Sequence, residues 1–200
     1  GVSQATVSRA LRGATNVTEE TRIKVQRAAD QLNFTLSKSA SALASGKTMR
    51  VILLVSGKLN EWFNSGVLQG VYEELAPVGY DVTPAFITDR SELDRFFSQL
   101  PKSRNADAII ISSFQLMPAM RDQLQAIDLP TVGVNVPAES GYFDASISID
   151  NSSAMTMAVR LLRSLGHTNI AFCSDYIPAD MVYNTSQRTQ AFADAAQANA

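Results

Sequence analysis

From residue 50 onward the chain alternates short apolar runs with longer amphipathic stretches, and this alternation limits the possible folds more than any other feature. Apolar runs of this length are typical of buried strands, and the stretches between them have helical spacing. Buried strands joined by helices indicate a parallel sheet covered on both faces, so we predict a doubly wound α/β fold. The predicted strands are 51–55, 81–88, 108–112, 131–135, 146–149 and 169–174, with helices near 64–77, 91–100, 118–127, 152–165 and 186–198.

The first dozen residues predict a short helix with one packed side and one free side. Ser3 is a good N-cap, and Val7, Ala10 and Leu11 share one side at three- and four-residue spacing. The other side combines small or hydrogen-bonding side chains with two arginines: Gln4, Ala5, Ser8, Arg9 and Arg12. This composition is typical of a helix in the DNA major groove, because Arg pairs with guanine and Gln with adenine. A solvated helix without a ligand is the alternative.

Charge and a second helix fit the same interpretation. Thr18 is placed to cap a second helix, whose apolar stripe comprises Val25, Ala28, Ala29 and Leu32. We expect this helix to brace the first one. Residues 1–50 carry eight Lys or Arg against three Asp or Glu, whereas the remaining residues carry nine against sixteen. A basic arm on an acidic body is typical of nucleic-acid binding by one end only, although chance clustering of surface charge gives the same pattern.

Two sequence motifs connect this arm to a known family. Residues 2–11 read V-S-x-x-T-V-S-R-x-L and residues 16–22 read N-V-T-E-E-T-R, which resembles the helix-turn-helix headpiece of the lactose-repressor/galactose-repressor (LacI/GalR) family of bacterial transcription regulators. The resemblance implies binding to double-stranded operator DNA. It also implies a chain truncated at both ends, with a supporting helix upstream. The implied DNA contacts are Ser3, Gln4, Ala5, Thr6, Ser8, Arg9 and Asn16.

Residues 37–46 are small and polar apart from Leu43, and composition alone indicates a linker. In the family the corresponding segment is a hinge helix whose leucine wedges into the minor groove, a position that Leu43 matches. A wedge of this kind bends DNA and needs two symmetric copies, which implies a homodimer. Ser41 replaces the usual arginine and Leu36 a common proline, so linker and hinge helix remain alternatives.

The loops after the predicted strands are the expected ligand site, because ligands of such sheets bind beyond the carboxyl ends of the strands. These loops mix aromatic rings with amide, carboxylate and guanidinium groups, as a sugar site requires. Residues 60–63, 149–151 and 188–192 resemble the family segments N-P-F-F, V-D-N and R-x-x-G-F, which implies a small-molecule effector, most simply a sugar. The contacts predicted from these loops and segments together are Asn60, Trp62, Phe63, Phe114, Asn135, Asp150 and Arg188.

Several of these side chains have structural alternatives. Asp150 and Asn151 could cap a helix, Phe63 could lie in the core, and Arg188 could form a structural ion pair. Asn135-Val136 stands where the family commonly has Asp-Arg, and Ala191 replaces a family glycine. The effector therefore need not be one that other members bind.

The remaining composition argues against other classes of protein. One cysteine, Cys173, expected to be buried and reduced, and one histidine, His167, leave no zinc set and no catalytic triad, so we predict no metal, cofactor or enzymatic activity. No apolar run is long enough to span a membrane, and the cytoplasm is the expected compartment. A periplasmic-type solute-binding protein without a DNA role is the rival hypothesis.

The predicted organisation has four parts. Residues 1–36 form a truncated headpiece and 37–49 a hinge helix or linker. Residues 50–165 form the first lobe of an effector domain resembling periplasmic sugar-binding proteins, and 166–200 begin its second lobe.

Overall fold

The computed structural model describes residues 1–11, 13–32, 34, 46–103, 105–136, 143–174 and 184–198. They form two compact units, Gly1–Thr48 and Met49–Ala200. Residues 37–45 of the predicted hinge, which include Leu43, lie outside the described residues, as does Arg12. In the part of the chain that is described, no helix is both long and apolar enough to cross a membrane.

The first unit contains helix α1 (Gln4–Leu11) and helix α2 (Glu19–Gln31). Both begin at a hydroxyl cap: Ser3 Oγ accepts from the Thr6 amide at 3.2 Å, and Thr18 Oγ1 accepts from the Thr21 amide at 3.4 Å. These caps supply acceptors to amides that have no partner inside their own helix. The buried side chains where the helices pack are Ala10, Val25 and Ala29.

The apolar stripe predicted for α2 is only partly covered. Val25 and Ala29 are buried, but Ala28 is exposed and Leu32 is 77% exposed. Together with Val2, Val7, Leu11 and Phe34 they line an apolar cavity of about 470 Å³. The stripe is wider than the surface that α1 covers, since α1 has only eight residues.

The second unit contains the predicted parallel sheet, with strand order β2-β1-β3-β4-β5 and every neighbouring pair parallel. The prediction of a doubly wound α/β fold is confirmed, and the strand bounds differ from those predicted by two residues at most. The strands are β1 (Arg50–Ser56), β2 (Asp81–Ile87), β3 (Ala108–Ser112), β4 (Thr131–Val134) and β5 (Ala145–Ile147).

Among the described residues of this unit, five helices accompany the strands, close to the predicted positions. They are α3 (Trp62–Leu75, followed by a 3-10 turn, Ala76–Val78), α4 (Arg90–Ser103), α5 (Pro118–Ala126), α6 (Asn151–Ser164) and α7 (Asn184–Ala198). Ile52 and Leu54 of β1 join a core cluster that contains Phe97 of α4 and Leu124 of α5. Leu53, which points to the opposite face, is also fully buried, so β1 is covered on both sides.

The prediction of a sixth strand is wrong. Residues 169–174 have no regular structure, and Phe172 stacks on Phe192 of α7 with ring centroids 5.3 Å apart. A strand needs a neighbour for its backbone hydrogen bonds, and no described strand pairs with this segment. Cys173 is consequently exposed, which corrects the expectation of a buried thiol.

Candidate functional site

The free side of α1 has the exposure that a DNA-reading helix requires. Gln4, Ala5 and Arg9 are exposed, whereas Ala10 is buried. Predicted contacts at the rim of this side are Ser3 and Asn16, which are exposed, and Thr6 and Ser8, which are half-buried. Ser3 Oγ and Thr6 Oγ1 lie 2.9 Å apart and are hydrogen-bonded. The structure therefore brings most of the predicted DNA contacts onto one short helix and its cap.

The turn between the two helices is held by an arginine that the sequence did not single out. Gly13 adopts a φ of +71°, a left-handed conformation that suits glycine, and the Ala14 amide donates to Arg9 O at 3.1 Å. Arg22 Nη2 in turn donates to Ala14 O at 3.1 Å, and Arg22 Nη1 lies 3.6 Å from Glu19 Oε2. Arg22 thus fixes the turn that precedes Asn16.

The second candidate site lies at the carboxyl edge of the sheet, where the five strands end. Ser113 follows β3 with a φ of +72°, and Asn135 follows β4 with a φ of +54°. Left-handed backbone in residues other than glycine is costly, and it clusters at binding sites where surrounding contacts hold it. Asn135 Nδ2 donates to Ser113 Oγ at 3.1 Å, which ties the two strand ends together.

Two further asparagines extend this contact to the helices. Asn184, the first residue of α7, donates its backbone amide to Ser113 O at 3.1 Å and its Nδ2 to Asn135 Oδ1. Asn151, the first residue of α6, donates its Nδ2 to Asn184 Oδ1 at 2.7 Å. Four polar side chains from two strand ends and two helix starts therefore form one hydrogen-bonded chain.

A separate loop presents the predicted aromatic contacts. Trp62 at the start of α3 is 85% exposed and packs edge-on against Phe63, with ring centroids 5.6 Å apart. Asn60 is exposed in the preceding turn. Asn64 is only 3% exposed, and its Nδ2 donates to Ser56 O at 2.8 Å and to Lys58 O at 3.0 Å. Asn64 thereby shapes the loop, whereas Trp62 and Asn60 face solvent.

Comparison with known proteins agrees with the description of both units, the helical first unit and the α/β second unit. Residues 1–37, which include α1 and α2, match the family model described as bacterial regulatory proteins, lacI family. The HTH-type transcriptional repressor PurR of Vibrio cholerae is 30% identical over 178 residues, which is 88% of this chain and 52% of PurR. This chain belongs to the LacI family.

Solved LacI-family structures share its fold. The lac repressor dimer bound to operator and the anti-inducer ONPF matches with a TM-score of 0.80 and 21% identity, covering 100% of this chain and 59% of that chain. A LacI-family transcriptional regulator from Lactobacillus casei with bound sucrose matches with a TM-score of 0.60 and 27% identity, covering 75% of this chain and 54% of that one. The chain spans about half the length of the curated relatives it matches.

Within this LacI-family chain, Phe114 is not where a ligand contact was predicted. Its side chain is fully buried in the core cluster that includes Leu116 and Met120. Ser113 separates this residue from the end of β3, and the left-handed bend at Ser113 turns it inward to pack rather than outward to the carboxyl edge. The predicted effector contact at Phe114 is therefore replaced by a core contact.

Asp150 adopts the alternative role of a helix cap. Its Oδ1 accepts from the Ser153 amide at 2.9 Å, and its Oδ2 accepts from Ser153 Oγ at 2.6 Å. The hydrogen bond from the Ser153 side chain, followed by that from the Ser153 backbone, holds the pKa of Asp150 below its ordinary value of 3.8. The carboxylate remains exposed, so a role at the LacI-family effector site stays a prediction.

Arg188 lies one helical turn after Asn184 on α7 and is half-buried. Its Nη2 lies 3.4 Å from Thr185 Oγ1, and its Nε is buried without a hydrogen-bond partner among the described residues. Ser113 and Asn184, which join Asn135 at the edge, were not predicted as site residues. The available signal was that Ser113 follows a strand and Asn184 begins a helix, but their contact depends on the fold.

Proposed function

We propose that this chain belongs to a sequence-specific transcription regulator, a repressor that binds operator DNA through α1. The exposed side of α1 carries the proposal, because Gln4, Ala5 and Arg9 offer adenine recognition, close approach and guanine recognition on one surface. PurR, a relative, is a transcriptional repressor, which supports this function over that of a solute-binding protein without a DNA role. The proposal includes a homodimer, a cytoplasmic location and no enzymatic activity.

Arg9→Ala in the full-length protein tests the DNA-reading face. Loss of a bidentate guanine contact is expected to weaken binding to the cognate operator by about 1–3 kcal/mol and binding to random DNA far less. Arg27→Ala is the matched control, since it removes the same charge from an exposed position on α2. Fluorescence anisotropy at fixed salt measures both affinities. Equal losses on operator and random DNA would reduce Arg9 to a phosphate contact.

We further propose that the carboxyl edge of the sheet binds a small-molecule effector, most simply a sugar. Amide and hydroxyl groups gather there around Asn135, and the exposed ring of Trp62 can stack on the C–H face of a sugar. The bound sucrose in the Lactobacillus casei regulator supports a sugar as the class of ligand. Asn60, Phe63, Asp150 and Arg188 are the other proposed contacts.

Trp62 provides a direct test because it is the chain's single tryptophan. Titration of the full-length protein with sucrose, glucose, ribose and cellobiose is expected, for at least one sugar, to shift or quench the part of the emission that Trp62→Phe removes. Trp62→Phe should retain part of that affinity and Trp62→Ala should lose it, both followed by calorimetry. Tyr72→Ala, exposed on the same helix, is the control and should bind as wild type. Sugar binding that does not depend on Trp62 would remove it from the site.

Regulation then follows from linkage between the two sites. A ligand changes DNA affinity only by the difference between its affinities for two arrangements of the protein, and such coupling typically amounts to about 1–3 kcal/mol. A hinge at 37–49 with Leu43 as a minor-groove wedge would transmit that difference to DNA. Measuring operator affinity with and without the sugar identified above gives the coupling and its sign.

A further inference from the structure

We propose that Asn135, Asn184 and Asn151 form a latch that fixes the start of α7 to the carboxyl edge, and that Asn184 is thereby a positioning residue for Arg188. The inference rests on the proposed function, because the position of Arg188 matters for regulation only if this edge binds an effector. The latch itself is defined by hydrogen bonds and burial alone.

The hydrogen bonds of the latch run in one direction. The Asn151 amide donates to Asn184, the Asn184 amide donates to Asn135, and the Asn135 amide donates to Ser113 Oγ. The central residue therefore has to donate and accept at once. Asn184 also donates its backbone amide to Ser113 O, so α7 is held to the end of β3 by main chain and to the end of β4 by side chain.

Burial makes these bonds costly to lose. Asn184 is 1% exposed and Asn151 is 6% exposed, so neither amide can exchange its partner for bulk water. Asn135 and Asn184 lie 49 positions apart in the chain, and Asn151 and Asn184 lie 33 positions apart. The latch therefore connects elements that local structure does not hold together. Breaking its centre should release the first turn of α7.

Arg188 depends on that turn. It lies four residues after Asn184, so both side chains project from the same face of the helix, and side chains on a helix lean toward its N-terminus. The Arg188 guanidinium is therefore directed back toward the edge that Asn184 contacts. Its Nη2 is further held by Thr185, which belongs to the same turn.

Three isosteric variants of the full-length protein test the direction of the latch: Asn135→Asp, Asn184→Asp and Asn151→Asp. A carboxylate accepts but does not donate hydrogen bonds at neutral pH. At position 135 it still accepts from Asn184, and the Ser113 hydroxyl can rotate to donate to it. At position 184 the carboxylate has no hydrogen to donate to Asn135 Oδ1, so that hydrogen bond is lost. At position 151 the carboxylate likewise loses the hydrogen bond to Asn184 Oδ1. All three variants change charge equally.

Two measurements at pH 7, without DNA or sugar, report whether the hydrogen bonds of the latch are intact. Amide exchange of α7 should be roughly fivefold faster in Asn184→Asp and Asn151→Asp, the size expected for loss of one net hydrogen bond, and near wild type in Asn135→Asp. The rate at which phenylglyoxal modifies Arg188 should rise in the same two variants, with exposed Arg95 as internal control. If Asn184→Asp does not fold, Asn151→Asp decides.

Faster exchange and faster Arg188 labelling in the two donor-loss variants, with Asn135→Asp unchanged, would support the latch. Equal effects at all three positions, or wild-type labelling of Arg188 in Asn184→Asp, would overturn it. Neither result bears on the Arg9 or Trp62 experiments, so failure of the latch and failure of the proposed function are distinguishable.

Discussion

Replacing Asn64 by alanine tests how one buried amide shapes the loop that presents Asn60 and Trp62. The Asn64 Nδ2 group donates to Ser56 O at 2.8 Å and to Lys58 O at 3.0 Å, and these carbonyls flank the left-handed turn at Gly57. Alanine would leave both without this donor. Two net hydrogen bonds at about 0.5–1.5 kcal/mol each predict a loss of about 1–3 kcal/mol in the free energy of unfolding.

Urea denaturation followed by the fluorescence of Trp62 measures this loss, because the tryptophan starts the helix that carries Asn64. Gln69→Ala is the control: Gln69 is exposed on the same helix and donates to Glu73 one turn later, so its loss should stay within about 0.5 kcal/mol. Asn64→Asp should be worse than alanine, since it turns an acceptor toward two carbonyl oxygens. An unchanged urea midpoint in Asn64→Ala would refute the assignment of the loop to Asn64.

Two further predictions concern the core and the first unit. Phe97→Ala should cost about 3–5 kcal/mol in the same denaturation, because Phe97 is 1% exposed in the cluster that joins α4 and α5 to the sheet; a loss under about 1 kcal/mol would contradict that packing. Thr18→Ala should cost about 1 kcal/mol of local stability in α2, seen as faster exchange of the Thr21 amide, whereas Thr18→Ser should keep the cap and the protection.

The fold was predictable because burial and periodicity carry local information. Residues 51–55 of β1 are apolar without interruption and all buried, and the helix α4 buries Leu93, Phe97 and Leu100 at three- and four-residue spacing. Residues 169–174 show the limit of this reasoning. Their apolar pattern is that of a strand, but a strand exists only where a neighbour accepts its hydrogen bonds, and the pattern of one segment does not contain that neighbour.

The candidate site was predictable in position but not in contacts. Strand ends identified the carboxyl edge, yet an apolar residue just after a strand can turn either way, and the left-handed backbone at Ser113 directs Phe114 into the core. Asn135 was predicted as a site residue, but its contact with Asn184 was not predictable, for a different reason. Their contact joins positions 49 residues apart, and only the packed fold brings them together.

Acid should weaken the start of α6 through the Asp150 cap. The pKa of Asp150 is lowered below its ordinary value of 3.8, first by the Ser153 hydroxyl and then by the Ser153 amide, so the folded state favours the ionised carboxylate. A group whose pKa is depressed on folding stabilises the protein above its unfolded pKa, and that contribution is lost as pH falls through the folded pKa. The weakening should therefore begin below about pH 4 and grow as the pH is lowered further.

A local measurement isolates this effect, because Asp89 and Asp144 also have lowered pKa values and would titrate in the same window. The protection of the Ser153 amide should fall between pH 6 and pH 3 in the wild type. In Asp150→Asn it should change much less, since an asparagine cap accepts the same hydrogen bond without titrating. Equal pH dependence in both proteins would mean that Asp150 does not govern the helix start. The carboxylate would then be free for the effector contact that its position in the sequence first suggested.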